Sequence, residues 1–494
     1  MVPLRRSLLI TFFSTNAMTV VQFCVTLVLA RLLTPGEIGI FSITSVVIGL
    51  AAVFRDFGVS SYLQRERDLT PQKMRSALGL LLTTSWLLAG AIYLSSELVA
   101  AYYRQPGIGK VMRVLSLSFV LLPFASFFYS LMSRDLNAGK QALVNAAGTL
   151  VYALTCITLA WRGHSYMSLA WANVANILAT ILVYLPLRPK GISFLPSLRG
   201  WGAPVTFGAG AILSNLINHI YVSLPDLVLG KLNGPYSVGL YSRANGLVGI
   251  FQQIAGPTVN YNALPYISAN HHADVPLAPI LSKATSYLTG LALPALAVTA
   301  LFAREIIRVL YGAAWLDAAP LVAILCASYA IRIGFSLCPP ALTAIGRPYL
   351  SAISSSIAVL ARVLMLWLFG ARDVRTFAIA LLVADVLSAP VPALLMARYL
   401  GYSVRQSLHA HLHSIGVGAL CALLALALKL ALPAQWPDLA RLAVLGALLL
   451  PAWIAGVLLL EHPLAVELRP LLARAGARIG PGRRAPPGRP TQAE

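Results

Sequence analysis

The chain has 494 residues, of which 58% are hydrophobic and only 11% charged, against roughly 45–50% and about 25% in a soluble domain. That surplus of apolar side chains excludes a water-soluble globule and calls for lipid as solvent. A net charge of +21 would suggest nucleic acid in a soluble protein, but most Lys and Arg lie in short connections between apolar runs and near the C-terminal end, which is a topology signal and leaves no nucleic-acid partner.

A membrane helix needs about 20 apolar residues, and the chain supplies them in succession. Predicted spans cover 7–33, 36–54, 77–101, 111–132, 141–160 and 166–187, then 204–230, 236–258, 281–303, 318–341, 350–369 and 375–397, and finally 410–431 and 440–460. The fold class is therefore an all-α polytopic membrane protein of about fourteen helices, because helix-length runs rather than ten-residue alternating strands exclude an outer-membrane barrel. The stretch behind Arg5 and Arg6 is longer than a signal-peptide core and reads as an uncleaved first helix.

An even number of spans puts both termini on one side, and the excess of Lys and Arg in alternate loops places that side in the cytoplasm. No connection is long enough for a folded domain. Residues 461–494 end in a Pro/Gly/Arg-rich segment, Gly480 to Pro490, that cannot bury a core and reads as a basic cytoplasmic tail. Cys24, Cys156, Cys326, Cys338 and Cys421 stand singly in apolar runs, with neither disulfide nor metal spacing.

The chain also repeats itself. Val28-Leu29-Ala30-Arg31-Leu32-Leu33 aligns with Val228-Leu229-Gly230-Lys231-Leu232-Asn233, and Glu37-Ile38-Gly39-Ile40-Phe41-Ser42 with Ser237-Val238-Gly239-Leu240-Tyr241-Ser242. Six helices separate the copies, so both have the same orientation. This predicts two pseudo-symmetric six-helix lobes, residues 1–200 and 201–400, followed by two added helices in 401–460.

Several short segments carry a resemblance. They are Ala30 to Gly39 (ARLLTPGEIG), Arg55 to Ser60 (RDFGVS) with Leu63-Gln64-Arg65, Asp226 to Gly230 leading into Val238 to Ala244, Leu310-Tyr311-Gly312 with Trp315, and Ala344 to Pro348. In order and spacing the chain resembles the oligosaccharide flippases of the Wzx type, of the multidrug/oligosaccharidyl-lipid/polysaccharide superfamily, most like its exopolysaccharide exporter branch. The resemblance implies a two-lobed bundle in the bacterial inner membrane, no cofactor and no catalysis. It also implies the cargo: an undecaprenyl-pyrophosphate-linked oligosaccharide, turned from the cytoplasmic to the periplasmic leaflet for exopolysaccharide, capsule or lipopolysaccharide O-antigen assembly. Membrane lipid, a polysaccharide polymerase and export machinery are the partners it suggests.

Such a headgroup needs a polar cavity with fixed cations, and arginine suits a diphosphate through its planar fork. Arg332, mid-span with no obvious carboxylate partner, is the first headgroup candidate. Arg243 lies on a segment with Gln252 that either lines the cavity or pairs with Asp226. Arg362 and Asp385 fall at similar depth on consecutive helices, where an ion pair or a coupling role are the alternatives. Asn16, Gln22, Asn215, Asn218 and His219 give spans 1 and 7 polar faces that border a cleft or bond neighbouring helices. Pro123, Pro294, Pro390 and Pro392 interrupt spans and mark kinks. His409 and His413 share a helix face, with an interfacial histidine cluster favoured over a metal site.

Two rivals remain. A cation-coupled multidrug extruder would want a membrane carboxylate in the first lobe, yet the first acidic residue is Glu37. A membrane glycosyltransferase or polymerase would want acidic catalytic groups or a large periplasmic loop, and the sequence has no DxD pair and no such loop.

Overall fold

The computed structural model describes residues 4–55, 58–66, 68–134, 138–187, 196–197, 201–370, 373–433, 435–470 and 472, without the side chains of 4–12, 61, 65, 138, 203–214 and 251–262. Eight elements fill the first half: α1 (Leu4–Leu32), α2 (Pro35–Arg55), α3 (Val59–Arg65), α4 (Pro71–Tyr103), α5 (Pro106–Arg134), α6 (Ala138–Trp161), α7 (Met167–Leu187) and α8 (Gly202–Leu232). Then follow α9 (Gly234–His272), α10 (Leu277–Leu301), α11 (Ala303–Leu310), a 3-10 turn (Ala313–Ala318), α12 (Ala319–Ile333) and α13 (Cys338–Ala344). The last are α14 (Pro348–Phe369), α15 (Val374–Ser388), α16 (Pro390–Leu400), α17 (Val404–Ala431) and α18 (Asp438–Leu459). Their starts are written locally. Thr34 and Glu37 cap α2 reciprocally, Thr70 accepts from the Lys73 amide ahead of α4, Asp373 caps α15, and Ser403 with Gln406 forms a full capping box on α17.

Among the described residues, twelve segments are long and apolar enough to cross a membrane, and the remaining two predicted positions are α8 and α9. The burial pattern is that of a protein in lipid. Leu94, Leu98, Trp367, Leu430 and Leu459 are 74–80% exposed, whereas Thr44, Ser85, Ser168, Thr289 and Ser414 are fully buried. Apolar side chains facing outward and hydroxyls facing helices are the reverse of a soluble fold, as expected where lipid offers hydroxyls no partner. The chain is a multi-pass membrane protein with an all-helical fold among its described residues.

The two repeat copies meet directly through α2 and α9. A Cβ on Gly39 would stand 1.7 Å from the Pro235 carbonyl oxygen, and one on Gly239 would stand 1.8 Å from that of Pro35. Only glycine lets the two backbones approach so closely. Reciprocity continues at the end of the bundle predicted to be periplasmic. Arg31 donates to the carbonyls of Arg308 and Val309, and Trp315 Nε1 donates to the Ala30 carbonyl at 2.8 Å. From the other copy, Lys231 donates to the Tyr102 carbonyl, and one turn earlier the Leu227 carbonyl accepts from the Tyr103 hydroxyl. That end of the bundle is closed by contacts running in both directions.

The last two helices dock on the second half. Ser414 on α17 bonds Thr289 on α10 at 2.8 Å, Trp453 on α18 donates to the Gly290 carbonyl at 2.9 Å, and Glu305 is flanked by Lys429 and Arg441.

Candidate functional site

Two predicted spans are not continuous helices. The tenth, 318–341, breaks after Ile333, turns through Gly334–Leu337 and resumes as α13; the twelfth, 375–397, breaks at Ala389 between α15 and α16. Pro339 and Pro340 open α13, and Pro390 opens α16, each where a missing N–H is tolerated. Pro123 and Pro294, by contrast, lie inside continuous helices. Broken backbone at membrane depth leaves polar groups that must be met by protein or by a cavity, and interrupted helices are a pointer to a binding site.

Both breaks border one cavity of about 280 Å³. Phe335, Ser336 and Pro339 line it from the first break, and Ser388, Ala389 and Pro392 from the second. The first three turns of α14 contribute Ser351, Ser354, Ser355 and Ala358, a stripe at helical spacing. Asn218 and Tyr221 of α8, Tyr329 and Arg332 of α12, and Asp385 of α15 complete the wall. The result is a hydroxyl-lined chamber in the part of the bundle predicted to lie toward the cytoplasm.

Its charges are arranged unequally. Arg362 and Asp385, both buried, form an ion pair at 2.9 Å. Asp385 Oδ1 accepts from Arg362 Nε and Nη2 and from the Tyr221 hydroxyl at 3.5 Å, while Oδ2 accepts from Ser328. Arg362 also donates to the Tyr221 carbonyl at 2.8 Å and stacks on the Tyr221 ring, 3.8 Å from its centroid. Arg332 differs. Among the described residues no carboxylate lies within ion-pair distance of it; its guanidinium rests over the rings of Tyr329 and Tyr221, at 4.9 and 5.3 Å. An aromatic face supports the charge without consuming the N–H donors at the guanidinium edge. With two arginines against one aspartate, the chamber carries a net positive charge and an open set of donors.

Not every predicted site residue gathers there. Asn218 lines the chamber. His219, on the same helix, turns toward the first repeat, where its ring would sit 2.7 Å from a Cβ on Gly49 of α2; its Nδ1 meets the Ser223 hydroxyl at 2.9 Å. Arg243 stands apart, 5.7 Å over the Trp315 ring beneath the closed end. It is not paired with Asp226: no ion pair joins them, and Arg243 Nε and Asp226 Oδ1 are both buried without a hydrogen-bond partner. Asn215 and Gln22 are exposed and Asn16 is partly buried. Gln252 falls on α9, and its side chain lies outside the described residues. The His409 and His413 rings meet edge to face at 5.3 Å, and no group of three metal-ligating side chains occurs among the described residues.

Sequence reasoning missed Tyr221, Tyr329 and the α14 serines. The serines carry a signal, Ser351 followed by Ser354, Ser355 and Ser356 in an apolar run; the tyrosines carry none, being common in membrane helices.

Residues 28–320 match the family model described as polysaccharide biosynthesis protein. The chain is similar to the lipopolysaccharide biosynthesis protein WzxC of Escherichia coli K12, 22% identical over 308 residues, 60% of this chain and 61% of that one. It is 24% identical to the succinoglycan biosynthesis transport protein ExoT of Rhizobium meliloti over 330 residues, 66% of each chain. The matched stretch thus spans slightly less than two thirds of those relatives. Among solved structures, the lipid II flippase MurJ in an inward closed conformation shares the fold at a TM-score of 0.70 and 14% identity, covering 94% of this chain and 99% of that one. An inward-facing multidrug resistance transporter of the MATE family shares it at 0.62 and 14% identity, covering 80% and 94%.

Proposed function

The chain belongs to the polysaccharide biosynthesis protein family, and from that membership we propose that it is a flippase for a lipid-linked oligosaccharide, undecaprenyl-pyrophosphate-linked, in the bacterial inner membrane. The observation that carries this reading is Arg332: an unpaired guanidinium facing a hydroxyl-lined cavity inside a membrane bundle. A cation at membrane depth without a carboxylate partner is costly unless it serves an anion, and a diphosphate bearing sugars supplies both the charge and the hydroxyl partners.

The mechanism is alternating access. The headgroup enters from the cytoplasmic side, where Arg332 takes the pyrophosphate and Asn218, Ser354 and Ser355 bond the sugar. Residues 1–200 and 201–400 then rock as lobes while the polyprenyl tail stays in lipid and 401–460 moves with the second lobe. Arg243, beneath the closed end, receives the anion as the lobes part. In this reading α8 and α9 also cross the bilayer, both termini are cytoplasmic, no bond of the cargo is made or broken, and a polymerase with export machinery takes the product. With two negative charges on the cargo, an inside-negative potential of about 100 mV favours outward movement by roughly 4–5 kcal/mol.

The test is genetic and chemical. A strain lacking the protein should accumulate lipid-linked repeat units on the cytoplasmic leaflet with synthesis intact, and Arg332→Ala should fail to restore export although it inserts normally. Unchanged polymer export with altered drug resistance would sink the reading and favour an extruder.

A further inference from the structure

Arg332 and Asp385 line the same cavity, yet they do not pair. A carboxylate close to an unpaired guanidinium inside a membrane bundle ordinarily captures it, because the charge-assisted fork is among the strongest hydrogen-bonding arrangements available. What prevents the capture is visible in the bonds of Asp385. An ionised carboxylate offers about four lone-pair sites, and four donors already reach this one: Arg362 Nε at 3.3 Å, Arg362 Nη2 at 2.9 Å, the Tyr221 hydroxyl at 3.5 Å and the Ser328 hydroxyl. Arg362 is itself pinned by the Tyr221 carbonyl and hydroxyl, at 2.8 and 2.9 Å.

We infer that Arg362 is a positioning residue: by occupying Asp385 it keeps the donors of Arg332 free for an anionic ligand. The inference rests on the reading of the cavity as an anion site. It gives the buried Arg362–Asp385 pair a task other than stability, which suits the general finding that such pairs contribute little net stabilisation. It also explains the sharing of one tyrosine ring by two arginines. Tyr221 supports both charges by its face, and only one of them meets the aspartate.

The experiment measures binding of inorganic pyrophosphate to the purified full-length protein by calorimetry, with thermal unfolding recorded in parallel. Arg362→Gln releases Asp385 to pair with Arg332, and affinity should fall about tenfold or more. Arg362→Gln combined with Asp385→Asn removes the competitor as well, and affinity should return to within about threefold of the parent. A merely structural pair would lose affinity in step with stability and would show no such rescue. Asp385→Asn alone removes the one carboxylate from the cavity wall while Arg362 stays held by Tyr221, and it should bind more tightly, which decides the matter where Arg362→Gln does not fold.

Unchanged affinity in Arg362→Gln, or a folded double variant as weak as Arg362→Gln, overturns the inference, as does unchanged affinity in Asp385→Asn. Absence of pyrophosphate binding by the parent protein overturns it together with the anion site. The flippase reading is judged separately, by where lipid-linked intermediates accumulate in the deletion strain, so the two can fail independently.

Discussion

Ser42 and Ser242 share a hydrogen bond of 3.2 Å, and they occupy the same place in the two repeat copies. Two repeat-equivalent residues that bond each other lie where the copies meet, so this contact marks the seam between α2 and α9. If the halves separate on the side predicted to be periplasmic during transport, this pair must part. Replacing both serines by cysteine and oxidising should lock the halves and stop polymer export, with export restored by reductant and unaffected in either single variant. Full export by the crosslinked protein would show that the halves do not part here.

The glycines one turn away are a sharper probe of the same surface. Gly39→Ala or Gly239→Ala drives a methyl into a backbone carbonyl, 1.7 or 1.8 Å from its oxygen, and neither backbone can rotate aside as a side chain would. A loss of at least about 1–3 kcal/mol is expected from such overpacking, read as a lowered melting temperature. Gly36→Ala, with nothing within 4 Å of its added carbon, should lie within about 0.5 kcal/mol of the parent. Equal stability in all three variants would contradict the interface.

How much of this was legible beforehand differs by residue. The predicted spans fall on helices because apolar length is written directly in composition, and Arg332, Arg362 and Asp385 stood out as charges in apolar runs. Span ends were less visible. Span 3 was predicted from 77 but α4 starts at Pro71, since Thr70 caps it and Lys73 pairs with Glu66 at 2.6 Å, polar interactions that hydropathy does not register. Span 8 was predicted to end at 258, whereas α9 runs to His272, because backbone hydrogen bonding continues where apolarity stops. The breaks in α12–α13 and α15–α16 are half written: Pro390 and Pro392 mark a kink, while Gly334 and Pro339-Pro340 sit inside an apolar run that reads as one continuous span. The Arg362–Asp385 pair is readable from two charges at similar depth on consecutive helices, and the two meet at 2.9 Å; the Tyr221 and Ser328 bonds that complete it are not, because helices far apart in the chain contribute them.

Beyond α18, His462 offers a pH-dependent handle on the added helices. It is buried against Gly290 of α10; its Nδ1 accepts the Leu464 amide at 3.1 Å and its Nε2 meets the Ser414 hydroxyl at 3.0 Å, an arrangement that requires the neutral ring. Burial, with His413 nearby, pushes its pKa from 6.5 down to about 4. Between those values the unfolded chain binds more protons than the folded one, so its stabilisation is complete above about 6.5 and is lost as pH falls toward 4. The melting temperature should therefore fall on acidification from pH 7 to 4.5, and His462→Gln should flatten that slope while lowering stability at pH 7. An unchanged slope in the variant would assign the acid sensitivity elsewhere.

The serine stripe allows cargo recognition to be separated from folding. Ser354 and Ser355 face the cavity from α14, are only partly buried, and have no hydrogen-bond partner among the described residues. In a membrane helix such hydroxyls are unsatisfied unless water or a polar ligand meets them. Replacing Ser354 by leucine removes a hydroxyl and fills part of a chamber of about 280 Å³ without touching the Arg362–Asp385 pair. Stability should therefore change by no more than about 1 kcal/mol. On the proposed flippase reading transport should suffer much more, because a sugar displaced by even a small distance would lose its bonds while Arg332 would still hold the diphosphate. The expected signature is accumulation of lipid-linked repeat units at normal protein level, with pyrophosphate binding retained in the purified variant. Normal export by Ser354→Leu would place the sugar elsewhere in the bundle, and loss of pyrophosphate binding together with export would mean that the serine face shapes the anion site itself.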